Sequence, residues 1–257
     1  MRRVAFLLAG LGLVGVVAGC ELLLGIKEKT QAEPTDASTP DAATEDPSVP
    51  CSQQPAGYLF CDDFDSEIEA GESWEWDTTK GNASIEFDTT QYKTPPRSVQ
   101  VKASTPDQAQ LGQPVGLLMN GYRLAFDLFV DVPDLSPIPQ VGVAQIYRSD
   151  GAGTLMVNYL LGPGSTCSVV VYDGPTDATV TLSVAPPPLR TWTRIVLVYD
   201  AVEGVTVIED GQTLGTSVAA ALGAPGDTTM ILGGVFTNPP GSGTLVFELD
   251  DVVMRGQ

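Results

Sequence analysis

The chain has 257 residues, with 32 Asp and Glu against 13 Lys and Arg, for a formal net charge of −19. A surface this acidic repels nucleic acid and anionic lipid headgroups and favours a soluble monomer, so a DNA or RNA partner is excluded. The sequence contains no histidine. That removes the commonest general base and transition-metal ligand, and with them the histidine-dependent serine and cysteine hydrolases.

At the N-terminus, Arg2 and Arg3 precede an apolar run from Val4 to Val17, closed by Val17-Ala18-Gly19-Cys20. The run falls short of the roughly 20 apolar residues that span a bilayer, so residues 1–19 are predicted to be a secretory signal peptide. Val-Ala-Gly-Cys resembles the lipobox of bacterial lipoproteins at every position. The resemblance implies a diacylglycerol thioether on Cys20, cleavage before it, and further acylation, of which palmitate is a usual label. Two or three chains, at about 0.8 kcal/mol per buried methylene, suffice for stable anchoring to a lipid membrane. It also places the rest of the chain outside the cytoplasm, in the bacterial cell envelope. Glu21 stands where an aspartate would mark inner-membrane retention, which points to the outer membrane.

Residues 20–50 are predicted to be a disordered linker. Glu21 to Ile26 is a short apolar patch beside the anchor, and Lys27 to Pro50 is rich in Pro, Thr, Ala, Asp and Glu without one aromatic residue. Such a stretch has nothing to bury, and extended it reaches at most about 3.3 to 3.6 Å per residue.

Residues 51–257 suffice for one domain with a sizeable core. Period-two alternation recurs through it. In the run from Tyr122 to Val130, the apolar residues Tyr122, Leu124, Phe126, Leu128 and Val130 share one face, as in a half-buried strand. Strands are predicted likewise at 83–88, 99–103, 141–147, 155–161, 168–172, 192–199, 205–209, 230–236 and 245–254. Turn residues such as Ser149-Asp150-Gly151, Asp173-Gly174-Pro175 and Asp210-Gly211 stand between them. Ser217 to Leu222 is the one helix-like stretch. Many short strands with almost no helical period predict an all-β, two-sheet antiparallel sandwich.

The strand from Thr191 to Asp200, followed by Val205 to Gly211, resembles the hairpin of concanavalin A-like lectin/glucanase and laminin-G-like jelly rolls. There a Trp-led strand pairs with one ending in Asp-Gly. Phe60 to Asp65 at the start of the domain and Phe247 to Met254 at its end agree with that family. The resemblance implies a jelly-roll sandwich whose first and last strands lie side by side, bringing two acidic clusters together. Asp63, Asp65, Asp250 and Asp251 would then offer hard oxygen ligands to a structural calcium, or form a solvated acidic edge with turn-capping aspartates.

With Cys20 lipidated, three cysteines remain. Cys51 and Cys61 flank a short segment and are predicted to form a disulfide in an oxidising compartment, worth about 2 to 3 kcal/mol. Cys167, in Ser165-Thr166-Cys167-Ser168-Val169 with no histidine or obvious cation beside it, reads as a buried strand residue, although its pairing with either of the others stays open.

For chemistry, Glu248-Leu249-Asp250-Asp251-Val252-Val253 comes nearest to the Glu-x-Asp-x-x-Glu strand of the family's glycoside hydrolases, but it lacks the last glutamate. Val143 to Tyr147 looks like the Gln-Ile-His strand of jelly-roll alginate lyases, with tyrosine in place of histidine; the other lyase signatures are missing. Gln145, Tyr147 and Tyr159 are expected to line an open sheet suited to sugar. Trp74 and Trp76, two apart, would either form a stacking platform on one side of an extended segment or anchor the core. The sequence therefore predicts a membrane-anchored, non-catalytic module that binds carbohydrate or a surface protein. Polysaccharide lyase, glycoside hydrolase and a structural adhesion subunit are the alternatives.

Overall fold

The structure, a computed structural model, describes residues 51, 57–66, 69–104, 107–118, 121–134, 141–149, 154–162, 166–173, 178–200, 202–217, 226–236 and 244–256. The predicted signal peptide, Cys20 and the linker through residue 50 lie outside the described residues, as do Val218–Leu222 of the helix-like stretch.

Fifteen strands form two antiparallel sheets. The first is built on β6 (Gly121–Asp134), flanked by β11 (Thr193–Asp200) and β15 (Thr244–Gly256). Outside β11 lie β12 (Gly204–Glu209) and β13 (Gln212–Ser217). On the other side, β4 (Ser98–Ser104) and β3 (Ser84–Asp88) follow β15, and β1 (Tyr58–Asp62) pairs with the second half of β15. In the second sheet, β7 (Val141–Ser149) lies between β8 (Thr154–Gly162) and β14 (Gly226–Phe236). β9 (Thr166–Asp173) and β10 (Ala178–Val184) continue beyond β8, and β5 (Gln108–Leu118) and β2 (Trp76–Lys80) beyond β14.

The predicted all-β sandwich is therefore the observed fold, and alternation explains it. Leu124, Phe126 and Leu128 of β6 face Tyr159, Leu161, Met230 and Leu232 of the other sheet within one buried apolar cluster. Asp127, Phe129 and Asp131, at the alternate positions of β6, point the other way, to the outer side of that sheet.

Strand β15 breaks the period once. Leu245, Phe247 and Leu249 are buried in the core, and so are Val252 and Met254, which belong to the opposite parity. The register shifts between Asp250 and Val253, and Asp251 has φ +46°. This is a bulge: one extra residue in the left-handed region, which aspartate tolerates better than most, re-aims everything after it. Both halves of the strand thereby keep an apolar inner face.

As expected from the family resemblance, first and last strands are neighbours, with Cys61 opposite Val253 and Asp62 opposite Val252. Asp210 and Gly211, both at positive φ, make the two-residue turn from β12 to β13. Cys51 and Cys61 are bonded with an S–S distance of 2.10 Å, and Cys167 is free and buried. Burial pushes its thiol up to about 12, so it is inert at neutral pH.

Strands β1, β2, β5, β10 and β13 lie outside the set predicted from alternation, β1 being expected from the family resemblance alone. In β5 the alternation of Ala109, Leu111 and Val115 is interrupted by Gly112, Pro114 and Gly116, which disguise a strand as a loop. β10 and β13 lie at the ends of their sheets, where burial is partial and the apolar signal correspondingly weak.

Candidate functional site

A row of side chains crosses the outer face of the seven-stranded sheet. Strand register sets Trp76 beside Gly112, Gly112 beside Ile231, Ile231 beside Gln145, Gln145 beside Asn158, Asn158 beside Val170 and Val170 beside Thr181. One step along, Tyr147 of β7 and Tyr172 of β9 stand on either side of β8. Each of these positions alternates with a core residue: Ile146 between Gln145 and Tyr147, Tyr159 after Asn158, Val171 between Val170 and Tyr172.

Two contacts give the row fixed geometry. Gln145 Nε2 donates to Asn158 Oδ1 at 2.7 Å, locking two amides side by side. Gly112 makes room for Trp76: a Cβ there would lie 2.0 Å from the indole, so the ring rests on bare backbone. Amide and aromatic groups on a flat sheet offer paired donors and acceptors beside apolar platforms, the combination that grips a sugar's hydroxyls and ring faces.

The structure divides the residues expected to bind. Gln145, Tyr147 and Trp76 are half-buried and outward. Tyr159 is not: it is 0% exposed, its ring 6.2 Å from Phe126 in edge contact. Its neighbour Asn158 takes the outward place, itself only 7% exposed beneath the Gln145 amide, and the sequence already carried that signal, because Leu155, Tyr159 and Leu161 share one apolar parity. Trp74 likewise belongs to the core. Its indole donates to Asp62 Oδ2 at 2.8 Å and packs edge-on against Phe60 at 4.7 Å. It precedes β2, so two-residue spacing did not carry it to the face that holds Trp76.

The four acidic residues expected at a calcium are not gathered into one shell. Asp63 caps its own turn, with Oδ2 accepting from the Cys51 amide at 3.1 Å and Oδ1 from the Asp65 amide at 3.2 Å. Burial, then the Asp63 charge, pushes the Asp65 carboxyl up to about 6. Asp250 accepts from the Lys93 and Thr94 amides at 2.9 and 3.0 Å, the Thr94 hydroxyl at 3.2 Å and the Asp251 amide at 2.8 Å. Among the described residues no group of three or more Asp, Glu, Cys or His side chains is arranged to hold a metal ion. The set does not fit that role as placed.

What the acids of β15 do instead is join a network on the outer side of the eight-stranded sheet. Asp127 is wholly buried, and its Oδ2 takes a 2.9 Å ion pair from Arg194 Nη1, which also donates to the Asp251 carbonyl at 2.6 Å. Asp127 Oδ1 and Asp251 Oδ2 are buried without a hydrogen-bond partner. Burial, then the charges of Asp250 and Asp127, pushes Asp251 up to about 8. Beside this network a cleft of about 460 Å³ is lined by Asp88, Gln100, Phe129, Asp131, Arg190 and Glu248. Glu248 Oε1 accepts from Gln100 at 2.8 Å, and burial pushes its carboxyl up to about 7. The Glu-x-Asp pair of β15 is thus present, but it serves a hydrogen-bonded wall.

No protein family matches the sequence, and no curated protein matches it. Solved structures do match by shape. An endo-β-1,4-glucuronan lyase from the fungus Trichoderma reesei superposes with a TM-score of 0.62 at 12% identity, covering 78% of this chain and 96% of that one. The cellulose-induced protein Cip1 gives 0.56 at 13% identity, covering 77% and 97%. The binding domain of botulinum neurotoxin serotype G gives 0.54 at 8% identity, covering 78% of this chain and 48% of that one. At such identities the likeness establishes the jelly-roll fold and leaves function to the site.

Proposed function

We propose that this chain is a carbohydrate-recognition protein of the bacterial cell envelope, held to a membrane by lipid on Cys20, whose ligand lies across the outer face of the seven-stranded sheet. The observation that carries the reading is the row of Trp76, Gln145 and Asn158, flanked by Tyr147 and Tyr172, on a rigid sheet. Aromatic rings take the apolar face of a sugar, and the amide pair takes its hydroxyls. A glycan array probed with the full chain, with calcium and with chelator, tests it. Tyr147→Ala and Gln145→Ala should each abolish the signal, and Tyr92→Ala, on an exposed residue beyond β3 of the other sheet, should not. Signal that survives both outward substitutions would sink the assignment of this face.

A polysaccharide lyase is the second reading, supported by the fold shared with the glucuronan lyase over 96% of that chain. Release of unsaturated product from glucuronan or alginate would put it first. The anchor has its own test: radiolabel from palmitate should enter the protein and disappear in Cys20→Ala, and labelling that persists would remove the lipid from the proposal.

A further inference from the structure

We infer that the sugar held by this face is neutral, and that chains of uronic acid are excluded by how the protein distributes its cations. The inference rests on the reading that the outer face of the seven-stranded sheet binds glycan.

From Cys51 onward the sequence has nine lysines and arginines. Seven belong to the eight-stranded sheet or the segments joining its strands: Arg123 on β6, Arg194 on β11, Arg255 on β15, Lys102 on β4, with Lys93 and Arg97 between β3 and β4 and Arg190 before β11. Arg190 is paired there with Asp131 at 2.9 Å. Two remain for the seven-stranded sheet. Arg148 points inward and is 8% exposed, near enough to Tyr122 of the core to act on its hydroxyl. Lys80 is exposed and shares the outward side of β2 with Trp76, but it ends that strand at the sheet's edge, four residues beyond Trp76 and off the row. The connections of β7 to β8, β8 to β9 and β9 to β10 contain Asp150 and Asp177 and no lysine or arginine.

A polyuronate brings one carboxylate per sugar. Laid from β2 to β9 it would cross five strand spacings, about 24 Å, and meet aromatic rings, two amides and hydroxyls, with no guanidinium or ammonium among them. Each carboxylate would lose water without gaining a partner, under the field of a protein of net charge −19. A neutral chain carries no such penalty, and its ring faces and hydroxyls match what the row offers. The shared fold of the glucuronan lyase is thus separated from any shared preference for a uronate.

The test is calorimetric titration of the full chain in mild detergent. The probes are cellohexaose, xylohexaose and mannohexaose, set against hexagalacturonate and hexaglucuronate, at about 0.01 M and 0.15 M salt. At least one neutral hexasaccharide should bind roughly tenfold or more tighter than either uronate, with the gap widest at low salt. Thr181→Arg, an exposed position on the row, should raise uronate binding and leave neutral binding within about twofold. A uronate that binds wild type as tightly as the neutral probes overturns the inference. If that binding is lost in Tyr147→Ala, the face still binds glycan and only the charge argument falls. If no probe of either kind binds, the glycan reading itself falls.

Discussion

The two outer faces of this sandwich are made by the same period-two pattern and have opposite chemistry. On the seven-stranded sheet the outward positions are Trp76, Gln145, Tyr147, Asn158 and Tyr172, uncharged groups whose contacts run sideways along the surface. On the eight-stranded sheet they are Asp127, Glu248, Asp250 and Arg194, and these are buried or nearly so. Outward in the alternation does not mean open to solvent. At the centre of that side Asp127, Glu248 and Asp250 are covered and hydrogen-bonded, so substitution there costs stability, whereas Glu86 and Lys102 nearer the edge are exposed. On the seven-stranded sheet Trp76, Gln145, Tyr147 and Tyr172 are half-buried and Asn158 is buried; on the function proposed above, substitution there costs recognition.

The sharpest way to break this comparison is Arg194→Met. It removes the guanidinium that touches Asp127 and the Asp251 carbonyl, leaving buried negative charge uncompensated, a loss of about 3 to 5 kcal/mol. Tyr147→Ala on the opposite face should cost under about 1 kcal/mol. Denaturant unfolding of both variants measures the gap, and equal losses would mean that the two faces do not divide the work in this way.

Gly112→Ala comes next. The new methyl would meet the Trp76 indole at 2.0 Å, so the ring must lift from the backbone it rests on. Overpacking of this kind costs about 1 to 3 kcal/mol, and on the proposed function the sugar platform moves with the ring. Thermal unfolding and glycan titration should therefore fall together. If binding stayed at the wild-type level while stability dropped, Trp76 would be packing rather than platform.

How much of this could be read from the sequence depended on where the alternation was clean. β6 and β11 were legible because long apolar stripes have one physical explanation. β5 was not, because Gly112, Pro114 and Gly116 mark loops in most sequences, and here one of them is a seat for an indole. Tyr147 and Gln145 follow from the family resemblance, whereas Asn158 follows only from the parity of β8, which puts Tyr159 in the core and Asn158 opposite Gln145. Tyr159 sits with Leu155 and Leu161, and that stripe already assigned it to the core. The bulge at Asp251 also left a trace, two acids side by side between Leu249 and Val252. In the structure that pair resets the register of the last strand.

That bulge gives the smallest and most specific prediction. Asp251 and Asp250 are both raised by burial, Asp251 further by Asp250 and Asp127, and Glu248 is raised by burial in the same wall. In the unfolded chain these groups titrate near about 4, so between roughly pH 4 and pH 8 the folded protein holds more protons than the unfolded one. Stability is then fully present below the unfolded values, falls as pH rises through about 7 to 8, and flattens above. This is the reverse of acid denaturation by salt-bridged carboxylates. Asp251→Asn keeps the shape, tolerates φ +46° and cannot ionise. Melting temperatures taken from pH 5 to pH 9 should therefore decline less steeply in the variant, which should overtake wild type at the alkaline end. An unchanged slope would place the proton elsewhere in the wall, with Glu248 the next group to neutralise.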